Sequence, residues 1–279
     1  MRLCLVALLS LESSCMEAVM GGENSRSLDF YGVVVDQSGS PVSNVLVTAK
    51  VGTYEGFSSG GGEDFTTKTD RKGRFSFTGI RGAGVGFLLE LKGYEYNQRL
   101  PSSTRPSDYV PDPSKPVIFR MWKLQGPVPI LDTRMTVGIP CDGTPVSFDL
   151  ATGRKGGDLV VSLVRNPLHI DRKNRFDWTL TIAIRHGGLI AVTAPYPNEA
   201  PSNGYAPSIS VTEKATDEAW NSEFSNSYYF QGNNGGSYGR IDIDVYTDFE
   251  PPPTALGVEI FMNPSGSRNL ESDPNHRLN

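Results

Sequence analysis

The sequence predicts an all-β protein built as two tandem β-sandwiches, and three observations carry that expectation. Short runs rich in Val, Ile, Thr and aromatic residues alternate apolar and polar side chains with the two-residue period of a half-buried strand. Turn residues punctuate these runs: 30 glycines and 20 prolines make up 50 of the 279 residues, above the usual share of roughly 12% but below the roughly 25–30% of low-complexity disorder. Only Thr212–Asn221 offers a short helical pattern. At roughly 100–200 residues per domain, the length suits two domains, each able to bury a core.

In chain order, Met1-Arg2 precedes the mostly apolar run Leu3–Leu11 and the small residues Ser13-Ser14-Cys15. This is the layout of a secretory signal peptide over residues 1–15, too short to cross a bilayer as a helix. It resembles a bacterial lipoprotein signal, which implies Cys15 as the lipid-attachment residue, although Glu12 stands where that pattern wants an apolar side chain. With Cys15 lipidated, Cys141 stays unpaired; otherwise a Cys15–Cys141 bridge is conceivable, and three cysteines so spaced make no zinc site of their own. Residues 16–27 are small, polar and aperiodic, and read as a tether.

Strands are expected at 30–35, 42–49, 66–69, 74–77, 85–91 and 117–122. Tight turns at Gly39-Ser40-Pro41 and Asp70-Arg71-Lys72-Gly73 are expected to close hairpins, because Asp accepts backbone hydrogen bonds and Gly takes positive φ. A Gly-rich loop at 58–62 and a Pro-rich insert at 101–116 interrupt the pattern. The pieces Gly32-Val33-Val34-Val35-Asp36, Gly39-Ser40-Pro41-Val42, Thr69-Asp70, Gly73-Arg74-Phe75-Ser76-Phe77 and Gly93-Tyr94 occur in this order. Residues 28–124 therefore resemble the carboxypeptidase regulatory-like domain. The resemblance implies a transthyretin (prealbumin)-like, seven-stranded Greek-key sandwich that accompanies secreted or surface proteins and carries no catalytic residues.

Gln125–Pro129, with a Gly followed by two prolines, reads as an exposed connector. A second sandwich of unknown family, jelly-roll-like, is expected over 128–265. Trp178, Leu180, Ile182 and Ile184 should share its buried face, with a hairpin turn at Gly187-Gly188. Further strands are expected at 135–139, 146–149, 159–165, 208–213, 227–231, 240–246 and 256–262. Residues 266–279 read as a flexible polar tail.

Few chemical motifs emerge. The net charge of −5, from 26 basic and 31 acidic residues, leaves no footprint for nucleic acid. His169, His186 and His276 form no metal-binding spacing, and no nucleophile elbow or phosphate loop is present. Neither a metal nor a cofactor is expected. Asp242 and Asp244 stand about 6.5–7 Å apart along one strand face and read as solvated acids, with a calcium site through Asp248 as the weaker reading. The aromatics Tyr196, Tyr205 and Trp220, beside Asn and Glu, are the candidates for stacking against a sugar. The expectation is a non-catalytic, exported structural or interaction protein of the periplasm or cell surface, bound to a protein or polysaccharide and to a membrane only through lipid. A carbohydrate-binding protein, or a hydrolase with an unfamiliar site using His169 or His186, are the alternatives.

Overall fold

Residues 27–52, 62–82, 84–97, 109–171 and 173–278 are described in a computed structural model. The signal peptide with Cys15, the tether up to residue 26, the Gly-rich run 58–61 and residues 101–108 of the Pro-rich insert lie outside them. The chain divides into two units, Met1–Leu124 and Gln125–Asn279. Both are all-β and sandwich-like.

In the first unit, β1 (Ser27–Val35), β4 (Arg74–Arg81) and β7 (Val117–Arg120) form one sheet in the order β4-β1-β7, with β7 parallel to β1. The second sheet takes β2 (Leu46–Gly52), β3 (Gly62–Lys68) and β5 (Gly84–Glu90) in the order β3-β2-β5; β6 (Tyr94–Glu95) pairs with β8 (Trp122–Lys123). Period-2 alternation puts Phe30 and Val34, Val47 and Ala49, Phe75 and Phe77, and Phe87 and Leu89 into one shared core. The sheets meet where the Phe30 and Phe87 ring centroids lie 4.2 Å apart. Gly32 leaves room for the Phe75 ring, since a Cβ there would fall 2.2 Å from its Cζ.

The turn chemistry is as expected, but the strands it joins do not pair. At the second turn, Asp70 Oδ1 accepts from the backbone N–H groups of Lys72 and Arg74, both at 2.8 Å. Yet β3 pairs with β2 and β4 with β1, so the turn carries the chain from one sheet to the other. Buried Thr69 anchors the crossing, donating from its hydroxyl to Val42 O (2.8 Å) and accepting from Val45 N (2.9 Å). Likewise Asp36 Oδ1 closes the first turn on Ser38 N and Ser40 N, and β1 and β2 then enter different sheets. The two expected hairpins are inter-sheet arches.

The second unit packs a four-stranded sheet against a six-stranded one. The first comprises β10 (Val146–Phe148), β11 (Leu159–Asn166), β12 (Asp177–Ile184) and β14 (Ser208–Glu213) in the order β10-β11-β12-β14. The second has the order β13-β15-β16-β17-β9-β18, from β9 (Val128–Ile139), β13 (Gly188–Ala191), β15 (Glu223–Gly232), β16 (Ser237–Tyr246), β17 (Thr254–Asn263) and β18 (Ser272–Leu278). Trp178, Leu180, Ile182 and Ile184 are all buried, facing Ile241, Ile243, Val258 and Ile260 within one core. Gly187-Gly188 is again an arch, since β12 pairs with β11 and β14 while β13 pairs with β15. A Cβ at Gly187 would lie 1.9 Å from Gln231 O, so only glycine fits that approach.

Three expectations are corrected here. Thr212–Asn221 is no helix: β14 runs to Glu213, and a turn follows in which Asp217 N donates to Lys214 O and Asp177 Oδ1 accepts from Ala215 N. The 266–279 stretch is no free tail, for Ser272–Leu278 is strand β18, parallel to β9. The 125–129 segment is no free connector either. The carboxylate of buried Glu271 accepts from Gln125 N at 2.9 Å and Gly126 N at 2.7 Å, and Val128 already begins β9. A buried acid here supplies acceptors to N–H groups that no strand pairs.

Candidate functional site

Antiparallel β11 and β12 pair along their full length, from Leu159↔Ile184 to Asn166↔Asp177. Seven residue steps of about 3.4 Å put the ends of these strands about 24 Å apart. One end carries the 149–158 loop, the arch at His186 and the β15–β16 turn; the other carries the 167–176 and 247–253 loops.

At the first end the two sheets part around a cleft of 370 Å³, whose apolar lining is Leu150, Ala151, Met262 and Pro264. Its polar lining is Asp149, Asp158, Asn233 and Ser237. Asp149 shapes the loop: its Oδ1 accepts from Ala151 N (3.1 Å), Thr152 N (2.8 Å) and the Thr152 hydroxyl (2.8 Å). The Thr152 hydroxyl, then the two backbone N–H groups and the charge of Arg154, outweigh burial and hold its carboxyl below the usual range. Gly157, at φ +110°, passes so close that a Cβ would lie 2.6 Å from Asp149 Cα. Across the cleft Asn233 (φ 50°) and Asn234 (φ 51°) take the left-handed turn that Asn tolerates, and Asn234 N donates to His186 O at 2.7 Å.

These polar groups differ in what the fold asks of them. Asp36, Asp70, Asp112, Asp142, Asp149 and Asp177 each accept backbone N–H groups in turns. Asp158, Asn233 and Ser237 have no side-chain hydrogen bond to any described residue, and Asp158 has the His186 ring 3.6 Å away. Ser237 is only 8% exposed, yet it lines the cleft.

The opposite end is a clamp. Arg165, with a side chain 0% exposed, uses all five N–H groups: Nε and Nη2 donate to Leu168 O, Nη1 to Thr247 O (2.8 Å) and Phe249 O (3.0 Å), and Nη2 also to Glu250. Burial pushes the Glu250 carboxyl up, but Ile170 N, His169 and Arg165 outweigh it and hold the carboxyl below its ordinary value. The guanidinium thus ties loops from the two facing sheets together.

His169 sits beside Glu250 at this end, and His186 beside Asp158 at the other; the strand length between them rules out one site using both. Cys141 is 1% exposed, and burial pushes its thiol pKa up, so it is a core side chain rather than a nucleophile. Asp242 is half-buried beside Arg240 at 3.1 Å, and Asp244 is exposed; among the described residues no cluster of three metal-ligating side chains occurs.

The three aromatic candidates are not brought together. Tyr196 is 3% exposed, so its ring presents no stacking face. Tyr205 belongs to a small apolar layer on the outer face of the six-stranded sheet, with Ile130, Ala200, Tyr229 and Leu270. Its hydroxyl donates to Pro201 O at 2.8 Å, and burial raises its pKa. Trp220 lies elsewhere, half-buried edge-on to Phe176, its Nε1 donating to Phe176 O at 2.8 Å. Sequence reasoning had no means of assembling the cleft, because residues 149, 158, 233 and 237 converge only through sheet pairing; the sole local trace was the Asn-Asn-Gly-Gly turn at 233–236. No family model, curated protein or solved structure matches the chain.

Proposed function

We propose that the protein is a non-catalytic, exported binding protein whose second unit holds a small ligand in the cleft between its sheet ends. The observation that carries this is the cleft lining: three residues whose polar side chains have no hydrogen bond to any described residue line one concave space together with apolar residues. Loops at the end of a rigid sandwich are where binding residues commonly sit. The separation of the two histidines and the buried Cys141 thiol support a role without catalysis. The signal-like segment 1–15 supports export to the periplasm or cell surface, with lipid on Cys15 as the proposed anchor.

On the same footing, residues 28–124 are proposed as a transthyretin-like, carboxypeptidase regulatory-like module. The parallel β1–β7 pair and the arches between sheets support that reading. The two sheets of the second unit support a jelly-roll-like arrangement. The test has two arms. Crystals soaked with a mixture of small polar compounds should show density in the cleft, and an empty cleft throughout overturns the binding reading. A panel of esterase, peptidase and glycosidase substrates should show no turnover; turnover abolished by His169→Ala or His186→Ala overturns the non-catalytic reading. Mass spectrometry of the mature N-terminus decides whether Cys15 carries lipid.

A further inference from the structure

We infer that the cleft takes an uncharged, hydroxyl-bearing ring, a sugar residue at the end of a glycan being the class that fits; this rests on reading the cleft as a binding site. Charge is the first argument. An anion would face the carboxylates of Asp149 and Asp158. A cation would meet basic groups already in place: His186 is 3.6 Å from Asp158, Arg185 Nη1 donates to Gly157 O of the lining at 3.2 Å, and Arg154 acts on Asp149. A neutral ligand meets neither obstacle.

Hydrogen-bonding capacity is the second. Asp158 only accepts, whereas the Asn233 amide and the Ser237 hydroxyl both donate and accept. An ammonium group only donates, and would leave the Asn233 N–H groups unmatched. A row of hydroxyls can give a proton to Asp158 and take one from Asn233 and Ser237, and a site built to bond hydroxyls discriminates strongly against ligands lacking them. Ser237 adds an independent pointer, being a residue only 8% exposed whose hydroxyl has no partner among the described residues and which lines the cleft. The apolar lining completes the match: Leu150, Met262 and Pro264 offer an apolar surface to the C–H face of a ring. Tyr196, Tyr205 and Trp220 do not line the cleft, so these aromatic residues are not its contacts.

The experiment is an amide-shift titration of the full chain by NMR with glucose, galactose, mannose and N-acetylglucosamine, and with n-butylammonium and butyrate as charged probes. At least one sugar should move the amide signals of Gly157, Gly236 and Ser237, with Ser237→Ala and Asp158→Ala each weakening it by about fivefold or more, the scale of one lost hydrogen bond. Both variants should keep the wild-type melting temperature within a few degrees. Movement by n-butylammonium or butyrate but by no sugar overturns the sugar inference and leaves the binding reading standing. Sugar-induced shifts that neither variant weakens overturn the assigned contacts. If no probe moves these amides, and soaked crystals also leave the cleft empty, both readings fall.

Discussion

Replacing Arg165 with Met removes five charge-assisted donors while keeping an unbranched side chain of similar reach. Three backbone carbonyls, Leu168 O, Thr247 O and Phe249 O, then lose the bonds Arg165 donates, and the Glu250 carboxylate keeps Ile170 N and His169 but loses its charged partner. Removing one member of a buried pair costs about 3–5 kcal/mol. The site should sit near the low end, because Leu168 and Phe249 are 41% and 49% exposed and their loops can turn carbonyls to water once released. In a unit of this size each kcal/mol lowers the melting temperature by about 2–4 °C, so a fall of roughly 6–12 °C is expected in the transition of the second unit. Calorimetry resolves it if the two units melt separately, and Trp178, 2% exposed and in that unit, reports it by fluorescence. Arg165→Lys, which keeps the charge but loses the planar fork, should recover only part of the loss. An Arg165→Met protein melting within 2 °C of wild type, or full recovery by Lys, would refute the claim that the fork holds these loops together.

Gly32→Ala places a methyl against the Phe75 ring and should lower the stability of the first unit by about 1–3 kcal/mol, seen as a shift of its calorimetric transition alone. Glu271→Ala leaves Gln125 N and Gly126 N without their acceptor; it should cost about 1.5–3 kcal/mol and speed hydrogen exchange at the amides of Gln125 and Gly126, and unchanged exchange would remove the proposed fastening. Asp149 gives a pH prediction. Its carboxyl lies below the ordinary value in the folded chain, so its contribution is present above the unfolded pKa and fades as pH falls through the folded one. The Asp149→Asn variant should therefore show a shallower loss of stability below about pH 4 than wild type, and identical acid limbs would show that the turn gains nothing from the charge.

Much of the local structure was legible. In β12 and β16 the alternation alone identifies the buried face, because successive side chains of a strand must point to opposite sides. The turn residues at Asp36–Pro41, Asp70–Gly73 and His186–Gly188 were legible for a similar reason: Asp acceptors and glycines at close approach serve one local geometry. What the turns join was not. A hairpin and an arch need the same tight reversal, and the choice depends on which sheet offers the next strand a buried face. The polar end of the chain misled in the same way, since β18 gains its place from the edge of β9 and the buried Glu271 rather than from any apolar pattern of its own.

By itself, the sequence determined that the fold class is β, where most turns fall and which side chains of the alternating strands face inward, because those properties follow from neighbours along the chain. Only the tertiary structure decided strand partners, the separation of His169 from His186 and the meeting of Asp149, Asp158, Asn233 and Ser237. Backbone hydrogen bonds are chemically alike for any pair of strands, so pairing is selected by the joint burial of two sheets, and a cleft at their ends exists only once that selection is made.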